Sequence, residues 1–211
     1  MATPPDILPS AVEAIGSTPL IDLARITRGI DGRILAKLEF LNPGFSKKDR
    51  IARQIIEDAE AAGELKPGRT VVELTSGNTG TGGSFAGCAA AFKEHNPAIK
   101  CFIVEPEGAA VLAGEPVTYP NHRIQGGGYA MADLPLLDSE LIDGYLKVSD
   151  EPAIETARRL AKEEGIFAGF SSGANVAAAL QLLQTDFKGQ TAVVLICDSG
   201  LKYLSTDLWE N

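Results

Sequence analysis

Four stretches of this chain combine residue types and spacings suited to chemistry on a small anionic molecule. The first is Asn42-Pro43-Gly44-Phe45-Ser46-Lys47-Lys48-Asp49-Arg50. Asn-Pro-Gly is turn chemistry, Ser46 is a candidate helix N-cap, and Asp49 three residues later makes a weak capping box. A lysine in the first helical turn is electrostatically misplaced, because the helix dipole favours anions there. The same field lowers the cost of the neutral amine, which is the nucleophilic form. The plain alternative for Lys47-Lys48-Asp49-Arg50 is a solvated charge run. The second stretch is Thr75-Ser76-Gly77-Asn78-Thr79-Gly80-Thr81-Gly82-Gly83-Ser84. Backbone N–H groups of such a glycine-rich loop, opening into a helix, make an anion site, most naturally for a phosphate. Turn geometry or close packing would equally use glycine. No Gly-Lys-Ser/Thr follows, so it is not a P-loop, and Glu105 is too loosely spaced for a clean dinucleotide fingerprint. Ser171-Ser172-Gly173 and Asp198-Ser199-Gly200 are the third and fourth. Ser171 and Ser172 would also serve as plain caps of the helix that follows.

The elements that must position these residues alternate. A short helix is expected over 10–15 and a strand over 20–23. A strand over 34–40 precedes the lysine stretch, whose helix runs from Lys48 to Ala62 and stops at Gly63 before Pro67-Gly68. Thr70 to Leu74 reads as a strand, and an alanine-rich helix runs from Phe85 to His95. Strands follow over 100–104 and 145–148, with mostly loop between them. A helix over 152–164 has Pro at its first turn. A second alanine-rich helix follows Gly173, and Thr191 to Ile196 is a wholly apolar strand. Strands alternating with helices, the late ones apolar throughout, predict an α/β fold with a mainly parallel sheet covered on both faces. In such a sheet the binding crevice lies at the carboxyl ends of the strands, where three of the four stretches fall.

Composition limits the function classes. The chain has 211 residues and a net charge of −9 with no basic block, which argues against nucleic-acid binding. No apolar run reaches membrane-spanning length, and the N-terminus has no signal-peptide pattern, so a cytoplasmic location is expected. Cys88, Cys101 and Cys197 are widely spaced in apolar contexts. They read as small buried hydrophobes, with neither a disulfide framework nor a metal set. His95 and His122 read as surface residues.

Taken together and in order, Ile15-Gly16-Ser17-Thr18-Pro19-Leu20, Asn-Pro-Gly-x-Ser-x-Lys-Asp-Arg, Thr-Ser-Gly-Asn-Thr-Gly, Gly-Thr-Gly-Gly-Ser, Gly-x-Ser-Ser-Gly and Asp-Ser-Gly-x-x-Tyr-Leu-Ser-Thr closely resemble the cysteine synthase / cystathionine beta-synthase family of fold type II pyridoxal-phosphate enzymes. The resemblance covers nearly the whole chain. It implies pyridoxal 5'-phosphate as cofactor, with Lys48 as the Schiff-base lysine and α-proton base. It implies Asn78 on the cofactor's ring hydroxyl, Gly80, Thr81, Gly82, Gly83 and Ser84 around its phosphate, and Ser171 facing the pyridine nitrogen. Thr75, Ser76, Gly77 and Thr79 would hold the substrate α-carboxylate. The implied reaction is β-replacement on O-acetylserine or another activated serine with sulfide or a thiol, by way of an aminoacrylate, in a homodimer. Cystathionine formation and serine or threonine dehydration are alternatives on the same scaffold.

The chain departs from the family at one place. The family's carboxylate loop and phosphate cradle are separate, each starting its own helix, with a large block between them. Here they are fused in Gly77 to Gly83. The step from Asn78 to Thr81 spans at most about 10 Å, so one bend must face both ends of one cofactor. The absent block would supply most of the smaller domain that closes over substrate. The expected organisation is therefore 1–33 and 75–211 as the large-domain core, with 34–74 as a remnant of the smaller domain carrying the lysine. Two other function classes stay open: a catalytically inactive dimerising fragment and a nucleotide-binding α/β domain.

Overall fold

A computed structural model describes residues 7–63, 82–124 and 131–210. The expected strand over 70–74 and the Gln125–Tyr129 region lie outside these residues. Among the described residues strands β1 (Leu20–Asp22) and β2 (Arg33–Leu38) are followed by helices α1 (Lys48–Ala61) and α2 (Gly83–His95), then by strands β3 (Phe102–Pro106) and β4 (Gly144–Val148), helices α3 (Asp150–Arg159) and α4 (Phe170–Leu183), and strand β5 (Thr191–Ile196). Among the described residues the strands form two sheets, ordered β1-β2-β5 and β3-β4. β1 runs antiparallel to β2, while β2–β5 and β3–β4 are parallel. The α/β class and the predominance of parallel pairing follow the expectation. The expected boundary at 33/34 falls inside a sheet, because β2 is hydrogen-bonded to both β1 and β5.

Helix α4 joins the two sheets. Its Val176, Ala179, Leu180 and Leu183 pack with Ile34, Ala36, Leu38 and Ile196 of the first sheet. Its Ala174, Ala177 and Ala178 pack with Val148 and the flanking Val104 and Leu146 of the second, and with Ala153 of α3. Apolar residues all round a helix require burial all round, and ten residues of α4 are buried. Alongside it, α3 continues as a π-helical turn, Leu160–Glu164, and stops at Gly165 with φ 71°, a left-handed C-terminal glycine.

Several local expectations need correction. The 10–15 helix is only a 3-10 turn, Val12–Ala14. Cys88 is exposed, whereas Cys101 and Cys197 are buried as expected. The cause is the packing of α2: despite its alanines, only Ala89 of that helix is buried. His95 is exposed and His122 half-buried.

Candidate cofactor site

Parallel pairing places the site. The register runs to Leu38↔Ile196, so the carboxyl ends of β2 and β5 lie side by side. The chain leaving each end therefore emerges on the same edge. Backbone hydrogen bonds then lace three loops together there. Lys47 N–H donates to Cys197 O at 2.8 Å, and Ser199 N–H donates to Phe45 O at 3.1 Å. Ser46 and Asp198 form an isolated antiparallel bridge, as do Ala168 and Ser199. Gly169 N–H donates to Asp198 O at 3.3 Å, and Gly200 N–H to Phe167 O at 3.0 Å. The lysine loop, the Ser171 turn and the Asp198 loop thus share one junction.

A buried polar cluster holds the lysine loop in shape. Asn42 is 1% exposed. Its Nδ2 donates to Glu39 O at 2.7 Å, Glu39 Oε2 at 3.0 Å and Ser46 O at 3.3 Å. Its Oδ1 accepts Gly16 N–H at 2.9 Å. Glu39 pairs bidentately with Arg50, Nε to Oε2 at 2.7 Å and Nη2 to Oε1 at 3.0 Å. Thr18 Oγ1 donates to Glu39 Oε1 at 2.6 Å. Burial alone pushes the Glu39 carboxyl up, but hydrogen bonds from Arg50, Thr18 and Asn42, with the Arg50 charge, hold it below the ordinary range. The Gly16-Ser17-Thr18 and Asn42–Arg50 motifs are therefore one structural unit. Sequence reasoning marked both motifs but missed the cluster, to which β1–β2 pairing brings Gly16 and Thr18.

Helix α1 starts at Lys48, with Lys47 in the N-cap position. Ser46 Oγ accepts Lys48 N–H at 3.2 Å, so the expected capping serine caps from one residue further back. Asp49 does not close a capping box with Ser46; its carboxylate accepts Gly44 N–H. Phe45 has φ 56°, a left-handed conformation that a bulky side chain rarely adopts.

The two serines of the third motif part company. Ser172 is fully buried, and its Oγ accepts Cys197 N–H at 3.0 Å, tying the head of α4 to the end of β5. The Ser171 hydroxyl borders the Cys197 thiol but makes no hydrogen bond of acceptable geometry, and it is left buried without a partner. Burial pushes the Cys197 thiol up, against the charge of Lys47. Gly82 and Gly83 open α2, Gly82 with φ 75° and so close to Leu137 that a Cβ would lie 2.8 Å from its Cβ. Ser84 follows within α2. Thr75, Ser76, Gly77, Asn78, Thr79, Gly80 and Thr81 lie outside the described residues. A groove of about 710 Å³ along α3, lined by Arg123, Asp150, Glu155 and Arg158 among others, contains none of these site residues. Among the described residues no helix is long and apolar enough to cross a membrane, and no cluster suited to a metal ion is found.

Comparison with known proteins fits this geometry. The sequence profile of the family described as pyridoxal-phosphate dependent enzyme matches residues 12–82 and 79–198. A cysteine synthase of Staphylococcus aureus is 29% identical over 301 aligned residues, which cover 93% of this chain and 96% of the relative. The alignment is much longer than the 211-residue chain, so a long block of the relative has no counterpart here. The two profile matches overlap at residues 79–82, within the fused loop. Among solved structures, O-acetyl serine sulfhydrylase isoform 3 from Entamoeba histolytica superposes with a TM-score of 0.90 at 25% identity, over 100% of this chain and 94% of that one. The O-acetylserine dependent cystathionine beta-synthase from Helicobacter pylori superposes with a TM-score of 0.86 at 25% identity, over 96% and 99%.

The residues present suit a pyridoxal-phosphate ring. A buried hydroxyl without a partner is rare in folded proteins and calls for a ligand group or an ordered water. Ser171 supplies one at the junction that also carries the lysine loop. With its profile match across most of its length and the cysteine synthase fold, this chain belongs to the family of pyridoxal-phosphate dependent enzymes.

Proposed function

We propose that the chain is a cysteine-synthase-type enzyme that replaces the β-substituent of an activated serine, O-acetylserine in the first instance, with sulfide. The observation that carries this reading is the shared junction of the lysine loop and the Ser171 turn, with the Ser171 hydroxyl left buried and unpartnered. Bound pyridoxal phosphate supplies an electron sink for charge developing at the substrate's α-carbon. Lys48 would hold the cofactor's aldehyde and, once displaced by the substrate amine, take the α-proton. Ser171 would hydrogen-bond the ring nitrogen without forcing a proton onto it, and Asn78 would bond the ring hydroxyl. Thr75, Ser76, Gly77 and Thr79 would hold the substrate carboxylate. We assign the phosphate to Gly80, Thr81, Gly82, Gly83 and Ser84, because that stretch runs directly into the N-terminus of α2, where an anion is favoured. The organisation as a homodimer belongs to the same reading.

The likeness to the cystathionine beta-synthase structure favours a second reading, in which a larger thiol takes the place of sulfide. Both readings share the cofactor test. Pyridoxal phosphate is added, the visible spectrum recorded, and the product reduced with borohydride and mapped. The expected result is a lysine-bound absorption band and a single label on Lys48, both lost in Lys48→Ala. Label scattered over surface lysines, or none, overturns the proposal. Product analysis with sulfide against a thiol amino acid as co-substrate then separates the two readings.

A further inference from the structure

Among the described residues each of the two sheets stops at an edge that faces the other. β5 pairs with β2 on one side only, and β3 with β4 on one side only. Both strands lie under the same helix. Val194 of β5 and Val104 of β3 pack toward α4, and Phe102 at the start of β3 meets Phe187, just ahead of β5, edge to face with ring centroids 5.3 Å apart. A helix is about 10 Å across and neighbouring strands lie about 4.8 Å apart, so two strands under one helix that do not pair leave room for about one more. The composition of β5 points the same way. Its 192–196 run is apolar throughout, yet Val193 is 58% exposed. Such a run belongs inside a parallel sheet, and an open apolar edge is an aggregation site.

Helix α4 also fixes direction. Its head is tied to the carboxyl end of β5 through Ser172 Oγ and Cys197 N–H, and its Ala174 packs with Val148 at the carboxyl end of β4. Its tail, Leu183, lies against Gly32, just ahead of β2, and Phe187 beyond it reaches the amino end of β3. Both sheets therefore run the same way. Near the tail of α2, Lys93 pairs with Asp143, just ahead of β4, at 2.7 Å. The head of α2, about 20 Å away, then lies toward the carboxyl ends. We propose that residues 70–74 dock between β5 and β3 as a parallel strand, with Val72 in the row of Val194 and Val104, and join the two sheets into one. Residues 64–81, outside the described residues, begin beyond the end of α1 and finish at the head of α2. A strand running with β5 and β3 delivers the chain to the carboxyl ends, where α2 starts. Parallel neighbours are normally linked through a helix; α1 supplies one after β2, and α2 one before β3. The β-branched Thr70-Val71-Val72 suits a pleated, packed strand. So docked, the strand leads residues 75–81 onto the edge where the lysine loop and the Ser171 turn meet. The proposal does not rest on the cofactor reading and is tested without cofactor.

The test is NMR of the full chain, uniformly labelled in one sample and as a mixture of ¹⁵N-labelled and ¹³C-labelled copies in another. The expected result is cross-strand nuclear Overhauser contacts from the 70–74 backbone to both 191–195 and 102–105, all within one copy. Contacts to one of the two strands only, or to neither, overturn the proposal. Contacts along β5 between differently labelled copies give the gap to a second copy of the chain and overturn it as well. Val72→Pro then removes a backbone donor at a position where an interior strand cannot spare it. Amide hydrogen exchange is expected to quicken along β5 and β3 together in that variant, while the amides of α3 keep their protection. Exchange unchanged in both strands overturns the proposal. Should Val72→Pro not fold, the contacts in the unsubstituted protein decide.

Discussion

Glu39 and Arg50 set the shape of the lysine loop more than the lysines themselves do. The Glu39 side chain is 5% exposed and its partner Arg50 43%, so the charge at risk is the carboxylate. Removing one member of a buried pair leaves the other without compensation. Arg50→Met is expected to destabilise the protein by about 2–4 kcal/mol in urea unfolding, the lower end applying if water reaches Glu39 through the space vacated. The pH dependence carries a sign. Glu39 is held below its ordinary range in the folded protein. Its contribution is therefore fully present above the unfolded-state value and is lost as pH falls through the lower folded value. Without Arg50 the folded value rises toward the unfolded one, so the part of the acid loss of stability that Glu39 contributes should shrink. Unfolding midpoints measured in steps from neutral to acid pH check this, and identical acid limbs for the two proteins would remove Glu39–Arg50 from the account.

At the level of elements, two alanine-rich helices of similar sequence pattern meet opposite fates. In α4 Gly173 crosses α3 so closely that a Cβ would clash with Ala153 O and sit 2.9 Å from Ala157 Cβ. In α2 the corresponding space at Gly87 is open. Gly173→Ala is thus expected to cost about 1–3 kcal/mol through overpacking. Gly87→Ala should instead add about 0.5–1 kcal/mol, because alanine is the better helix former and meets nothing. The pair is measured by chemical denaturation, and like-signed effects would contradict the packing described for one of the helices. The same contrast shows what the sequence makes legible. Turn chemistry, glycine stops and apolar runs marked α1, α3, α4, β2 and β5 to within a few residues, and Ser171 was marked by its motif. Burial of α4 and exposure of α2 were not legible, since both read as apolar helices and only long-range packing separates them. The boundary expected at 33/34 follows motif order, which carries no information on strand pairing, and β2 finds its partner β5 near the other end of the chain.

The whole molecule combines an assembled junction with a shortened chain, and these bear on different observables. The Lys48 and Ser171 side of the site is built from β2, α4 and β5, which pair and pack with one another, and from the loop at the head of α1, which backbone hydrogen bonds tie to them. Cofactor binding to the folded form alone should therefore raise thermal stability, by about 2.7 kcal/mol at a hundredfold excess over the dissociation constant. Most of that gain should vanish in Lys48→Ala. Turnover asks for more. Closure over substrate excludes water from the reacting centre and keeps the activated substrate from hydrolysis. The family resemblance assigns that closure to the block that the Staphylococcus aureus relative has and this chain lacks. Cofactor-dependent stabilisation and protection of the chemistry are then expected to come apart. Given O-acetylserine and sulfide, the cofactor-loaded protein should release acetate, with pyruvate and ammonia formed alongside cysteine, and the ratio should respond to sulfide concentration because sulfide addition at the β-carbon competes with release of the dehydrated amino acid, which water hydrolyses at its α-carbon. Quantifying pyruvate against cysteine across a sulfide series decides the matter. Cysteine formation with negligible pyruvate at low sulfide would mean that the remaining chain seals the site without the missing block, and would place the closing element within the 211 residues present.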